Sequence, residues 1–233
     1  MPLSAAERRA LDEDGYLVLE ALLPGALLAR LRRQVGELFA QEGDAAGAEF
    51  KPEPGCRRLA NLVDKGAVFR TVIAHPRVLE CARHVLGPGL KLSSLNARSA
   101  DPGGGAQPLH ADMAALPDER GYWVCNTIWM LDASTPDNGA LRLVPGSHRP
   151  GQLPQKALAD PLADHPEQVL LTGRAGTVVG RNAQAWHAGT AHRTGRPRAS
   201  LHAFSCRRDR PRQQDQKRLL RPEVQRSLPP ELR

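Results

Sequence analysis

Two histidines and an aspartate carry the chemistry this chain offers most plainly. His110-Ala111-Asp112 is a His-x-Asp triplet, and His187 follows at long range in Trp186-His187-Ala188-Gly189. Two imidazoles and one carboxylate are the facial set that holds non-haem Fe(II) and leaves coordination positions open for oxygen and a co-substrate. In an extended chain, residues two apart point to the same side. His110 and Asp112 then project together from one strand end with Ala111 turned away, and the third ligand has to come from another strand. Arg198, beyond the distal histidine, adds a permanent cation whose forked guanidinium suits a carboxylate, and so points to a dicarboxylate co-substrate. His-x-Asp triplets also arise by chance, and eight histidines offer accidental partners. The triplet alone therefore assigns nothing.

The elements that must position these residues fall into two halves. Ser4-Ala5-Ala6-Glu7 is a capping box and opens a short helix to about Asp14. Tyr16 to Leu19 is strand-like. Leu27, Leu28, Leu31, Val35, Leu38 and Phe39 recur at helical spacing, which predicts a helix over about 25–41. Residues 42–56 form a loop. Helical pattern returns over 65–74 and over 76–86, ending at Gly87-Pro88-Gly89. Beyond that point eight short β-prone segments follow, at about 91–98, 107–112, 122–131, 140–144, 168–171, 176–180, 184–187 and 198–206, separated by turn residues. Helices first and strands later is an α+β order, mainly β, and the strand run suits a sandwich or jelly-roll barrel. Gly103-Gly104-Gly105 is too lax for a dinucleotide site and reads as a loop. The loops at about 42–60, 99–106, 113–121 and 150–167 are long enough to act as lids.

Composition narrows the function classes. A chain of 233 residues fits a single domain, 1–233, with a helix-rich part (1–88), a β core (89–206) and a basic C-terminal segment (207–233). The net charge is +7, and residues 207–233 hold nine Lys/Arg against four Asp/Glu. The expectation is a solvated tail. A nucleic-acid role is disfavoured because no aromatic is interleaved with the charges. Cys56, Cys81, Cys125 and Cys206 show no CxxC spacing, which fits reduced thiols of a cytoplasmic protein. Neither a signal peptide nor an apolar membrane-spanning run is visible.

The wider pattern is more specific. Gln107-x-x-His110-x-Asp112 is followed by Asn138-Gly139-x-Leu141 and Pro145-Gly146-Ser147-His148, then by Trp186-His187 and Arg198. Asp14-Gly15-Tyr16-Leu17-Val18, Leu62-Val63-Asp64-Lys65-Gly66, His75-Pro76 and Leu86-Gly87 extend it towards the N-terminus. Over nearly its whole length the chain resembles the phytanoyl-CoA dioxygenase family of Fe(II)/2-oxoglutarate-dependent oxygenases.

That resemblance implies a double-stranded β-helix (cupin-like jelly roll) with N-terminal helices packed outside. It implies Fe(II) on His110, Asp112 and His187, with 2-oxoglutarate and O2 as co-substrates. Arg198 takes the distal carboxylate of 2-oxoglutarate, in preference to Arg193 or Arg196, and Trp129 lines the co-substrate pocket. The family often has Ser two residues past the distal histidine. Here that position is Gly189, so Thr190 is expected to supply the hydroxyl. Gln107, Asn96, Arg98 and Asn126 are candidates for substrate contact or for support of the ligands. Related halogenases replace the metal carboxylate with a small residue, so Asp112 points to hydroxylation or a related oxidation. The expected substrate is a small-molecule metabolite, and the expected assembly a monomer or homodimer. The competing readings are a non-catalytic binding barrel and an oxygenase that reaches a macromolecule through the basic segment.

Overall fold

The computed structural model describes residues 2–50 and 52–233. The N-terminal elements form where the local rules place them. In α1 (Ala5–Glu13) the Ser4 hydroxyl accepts from the Glu7 amide at 3.2 Å, and the Ser4 amide donates to Glu7 Oε2 at 2.7 Å. Strand β1 (Tyr16–Leu19) and the amphipathic α2 (Gly25–Glu42) follow. The helical stretch expected over 65–74 is two helices, α3 (Leu62–Lys65) and α4 (Ala67–Ile73), because Gly66 is extended and breaks the run. Pro76 starts α5 (Pro76–Leu86), and the His75 ring accepts from the Arg77 amide.

One strand escaped the sequence reading. Residues Cys56–Leu59 form β2, which pairs antiparallel with β3 (Leu90–Ala100). Its Arg57-Arg58 pair hides the apolar alternation by which strands are recognised. The remaining strands are β4 (Val124–Met130), β5 (Leu141–Leu143), β6 (Val169–Leu171), β7 (Val178–Asn182), β8 (His187–Gly189) and β9 (Arg198–Arg207). A four-residue helix, α6 (Pro154–Ala157), lies between β5 and β6. Six strands make one antiparallel sheet in the order β1-β7-β4-β9-β3-β2, and three make a second in the order β6-β5-β8. This two-sheet architecture, with the long helices against one side of the larger sheet, is the expected jelly roll.

Alternation divides the large sheet into two faces. Leu92, Leu95, Ala97, Cys125, Trp129, Leu201 and Ala203 join Leu31, Val35, Phe69, Val72 and Leu79 of the helices in the main core. The other face carries Asn96, Arg98, Ile128, Arg181, Arg198, Ser200, His202 and Phe204 into a cavity of about 610 Å³.

The C-terminal segment differs from the expected solvated tail. It forms α7 (Gln216–Leu219) and α8 (Pro222–Ser227), and Leu220, Val224, Leu228 and Leu232 are buried in the main core. Their spacing is apolar, but the nine basic residues around them masked it. Several of those cations are engaged: Arg207 is buried and bridges Asp118 and Asp209, Arg221 pairs with Asp64, and Arg212 donates to the Leu92 carbonyl at 2.9 Å.

Candidate active site

A backbone pair brings the ligands together. The His110 amide donates to the His187 carbonyl and the His187 amide to the His110 carbonyl, each at 3.0 Å. The expected strand over 107–112 is reduced to this single bridge. Asp112 opens a tight 3-10 turn, and Met113 and Ala114 sit in the left-handed region at φ +57° and +49°. Ala111 keeps an extended backbone, so His110 and Asp112 still share a side. The ligand atoms of His110, Asp112 and His187 lie within 4.8 Å of one another.

Each imidazole is oriented from behind. Nδ1 of His110 donates to the Pro108 carbonyl at 2.9 Å, and Nδ1 of His187 to the Ala185 carbonyl at 2.8 Å. Because a carbonyl only accepts, the ring hydrogen sits on Nδ1 in each and Nε2 is the unprotonated nitrogen, the tautomer a metal requires; Arg181 Nη2 lies 2.8 Å from Nε2 of His187. Asp112 divides its two oxygens. Oδ1 lies 3.5 Å from His187 Nε2 and 4.0 Å from His110 Nε2, whereas Oδ2 accepts from Arg181 and from Asn126 Nδ2 at 3.3 Å. Burial works against the charge on Asp112, but Arg181 and His187 overcome it and hold the carboxyl well below its usual range. Burial, and then the charges of Arg181 and His110, push His187 down to about 4. The site therefore presents an ionised carboxylate and, at His187, a neutral imidazole. Two nitrogens and one oxygen on one side of an open cavity fit an Fe(II)-type ion.

Arg198 opens β9 at the other end of the cavity. It is buried, and its guanidinium donates only to backbone carbonyls, those of Asn138 at 3.0 Å and Gly139 at 2.6 Å. It makes no salt bridge among the described residues. Burial, reinforced by the nearby charge of Arg98, lowers it to about 10. Arg193 and Arg196 are exposed on the preceding loop.

The other expected site residues divide. Gln107 accepts from the Gly189 amide at 3.0 Å and donates to Glu53 at 2.8 Å, so it ties β8 to the cavity wall. Arg98 binds the same Glu53 at 2.8 Å and the Gly105 carbonyl at 3.1 Å. Asn126 holds Asp112, and Asn96 faces the cavity with its Oδ1 buried and unpartnered. Trp129 is turned the other way. Alternation on β4 gives the cavity to Ile128, while the Trp129 ring lies in the helix-side core and donates to Thr127 at 3.0 Å. Thr190 is also displaced from its expected role: its hydroxyl donates to the Ala140 carbonyl at 3.1 Å and it does not line the cavity. A side chain at Gly189 would meet the Gly105 carbonyl at 2.6 Å, which explains the missing serine.

The match to the phytanoyl-CoA dioxygenase family model runs over residues 11–200 and takes in all three ligands and Arg198. The chain belongs to the phytanoyl-CoA dioxygenase family. It is 30% identical to dioxygenase af480 of Aspergillus fumigatus over 64% of this chain, which spans half of that relative's length. It is 27% identical to the ectoine dioxygenase of Sphingopyxis alaskensis over 90% of this chain and 79% of the relative. Solved structures of EctD from S. alaskensis, one with bound Fe and one with 2-oxoglutarate and 5-hydroxyectoine, match with a TM-score of 0.74 and 26% identity, over 88% of this chain and 77% of theirs.

Four cavity residues lie outside the motif reading. Arg181 falls just after the strand expected at 176–180. Glu53 and Arg58 lie in and beside the loop expected at 42–56. Gln213 comes from the supposed tail. Only Arg181 left a usable signal, a charge next to Val178-Val179-Gly180 within a β-prone run.

Proposed function

We propose that this chain is an Fe(II)- and 2-oxoglutarate-dependent oxygenase that hydroxylates a small molecule. The observation that carries the reading is Arg198, a buried cation with no carboxylate partner among the described residues, in the same cavity as His110, Asp112 and His187. A dicarboxylate supplies what both ends lack: one carboxylate for the guanidinium and a keto acid for the metal. The bound iron would supply oxygen activation, with one oxygen atom passing to succinate, carbon dioxide leaving, and the other oxygen atom passing to substrate. The protein's share is placement: His110 and His187 are locked by backbone carbonyls, Asp112 by Arg181 and Asn126, and Arg198 by the Asn138-Gly139 turn.

The charge of the cavity bears on the substrate. Arg181 is matched by Asp112, and Arg198 by the co-substrate, but Arg58 and Arg98 share one carboxylate, Glu53. Burial alone would raise Glu53, yet Arg98 and Arg58 hold it at about 2, so it stays charged. One cation is left over on this wall, beside the unpartnered Arg58 Nε. A substrate with a carboxylate or phosphorus oxyanion answers it.

The intact ligand set speaks against a silent binding barrel. The engaged arginines of 207–233 speak against a nucleic-acid arm. Among the described residues no helix is long and apolar enough to cross a membrane. All four cysteines are free, in keeping with a reducing compartment. The test is anaerobic titration with Fe(II) and then 2-oxoglutarate, followed by a metabolite screen for succinate release. A visible charge-transfer band and stimulation by anionic compounds are expected. Absence of the band in wild type would end the proposal.

A further inference from the structure

Arg181 is a buried charge set against two of the three candidate metal ligands, Asp112 and His187. It stands on β7 opposite Asn126 of β4 and is 1% exposed. Its Nη2 donates to Asp112 Oδ2 and lies 2.8 Å from His187 Nε2, while Nη1 lies 3.0 Å from His187 Nδ1. Nδ1 already directs its hydrogen at the Ala185 carbonyl. The guanidinium therefore sits within hydrogen-bonding distance both of Asp112 Oδ2 and of the His187 nitrogen that a metal would take. Its Nε is buried without a partner, and a second hold on Asp112 Oδ2 already exists in Asn126.

The consequence is electrostatic. Ligating imidazoles must be neutral, so as a ligand set two imidazoles and a carboxylate sum to −1. With Arg181 against them the set sums to zero, and a dication must enter beside a buried cation of like sign in a setting that screens poorly. The keto acid brings two negative charges into the same cavity, one for Arg198 and one beside the metal. We propose that Arg181 makes loading of the divalent metal conditional on the anionic co-substrate. This rests on the reading of the site as a metal and 2-oxoglutarate centre. Because such coupling is reciprocal, metal and co-substrate strengthen each other's binding by the same factor.

The test uses Co(II) as a redox-stable probe, titrated calorimetrically into the full-length protein with and without saturating 2-oxoglutarate. In wild type the co-substrate should tighten Co(II) about tenfold or more, within the usual span of coupling energies. Arg181→Met should bind Co(II) alone about tenfold more tightly than wild type and lose most of the enhancement, since the like charge is gone. Arg181→Lys, which keeps the charge, should stay near wild type. Weaker binding of Co(II) to Arg181→Met would overturn the inference, because Arg181 would then be an anchor for Asp112. So would an unchanged enhancement. Should Arg181→Met fail to fold, wild type and Arg181→Lys still decide: wild-type Co(II) binding indifferent to 2-oxoglutarate sinks the idea. Co(II) binding that is absent under all conditions, and equally absent in His110→Ala, takes the metal reading down with it.

Discussion

The two faces of the six-stranded sheet are built on one backbone and obey opposite rules. On the helix side, Leu95, Ala97, Trp129, Leu201 and Ala203 are packed against α2, α4 and α5, and the polar tip of Trp129 is satisfied locally. On the cavity side, the neighbours of those same residues are Asn96, Arg98, Ile128, Ser200 and His202, with Arg198 and Arg181 further along. Several polar atoms there have no partner among the described residues, Asn96 Oδ1, Asn126 Oδ1 and the Nε atoms of Arg58 and Arg181 among them. Buried polar groups left unpaired cost stability. One face is finished by folding alone; the other is completed by what it binds.

The comparison predicts that substitutions on the two faces separate activity from stability. The largest effect is expected on the cavity side: His110→Ala, Asp112→Ala and His187→Ala should each abolish iron-dependent succinate formation while the thermal unfolding transition survives. Near-normal turnover in any of the three would break the ligand assignment. On the helix side, Trp129→Ala should cost roughly 3–5 kcal/mol in denaturant unfolding, the range for deleting a buried aromatic. The fraction that remains folded should still bind 2-oxoglutarate at the wild-type concentration. A selective co-substrate defect there would show that the two faces are coupled.

Arg198→Ala removes one partner of a buried charge-assisted contact, worth on the order of 2–5 kcal/mol. The 2-oxoglutarate requirement should rise at least about tenfold at 1.4 kcal/mol per decade, with metal affinity measured alone unchanged. Arg193→Ala and Arg196→Ala, both exposed, are the controls. Should Arg196→Ala carry the defect instead, the inward register of β9 is misassigned.

Glu53 sharpens the picture through pH. Its folded value of about 2 lies below the ordinary 4.5, so the ionised form stabilises the fold. That contribution is full above pH 4.5 and is lost as pH falls toward 2. Acid unfolding of Glu53→Gln should lack this component. The smallest change is expected from Thr190→Val, which loses one hydrogen bond worth about 1 kcal/mol and leaves the co-substrate requirement as it was.

What could be read from the sequence follows the same division. Helix-side packing announces itself through apolar periodicity, so α1, α2, α5 and most strands fell where expected. His110, Asp112, His187 and Arg198, which the structure gathers around one cavity, were legible because each stands in a spaced motif. Glu53, Arg181 and Gln213 were not, because their meaning lies in partners far away in sequence: Glu53 with Arg98, Arg181 with Asp112, and Gln213 with Ser94 on β3 at 2.5 Å. Trp129 was misplaced by a single step of alternation, since an aromatic beside a site reads equally well on either face. The short C-terminal helices were hidden by the basic residues that flank them.

The strand order has a further consequence, for the making of the protein. β9 comes last among the strands in sequence, yet lies in the middle of the large sheet, between β4 and β3. Until it arrives, the β1-β7-β4 group and the β3-β2 pair are two separate ribbons, each with an open edge. Such edges are templates for wrong pairing, and contacts this distant in sequence form slowly. The same strand brings Arg198, Ser200, His202 and Phe204. A nascent chain therefore has the His-x-Asp triplet and the long helices well before it has a cavity, and closing the gap in the sheet joins the two ribbons and forms the cavity wall in one event, leaving Gln213 and the C-terminal helices to follow.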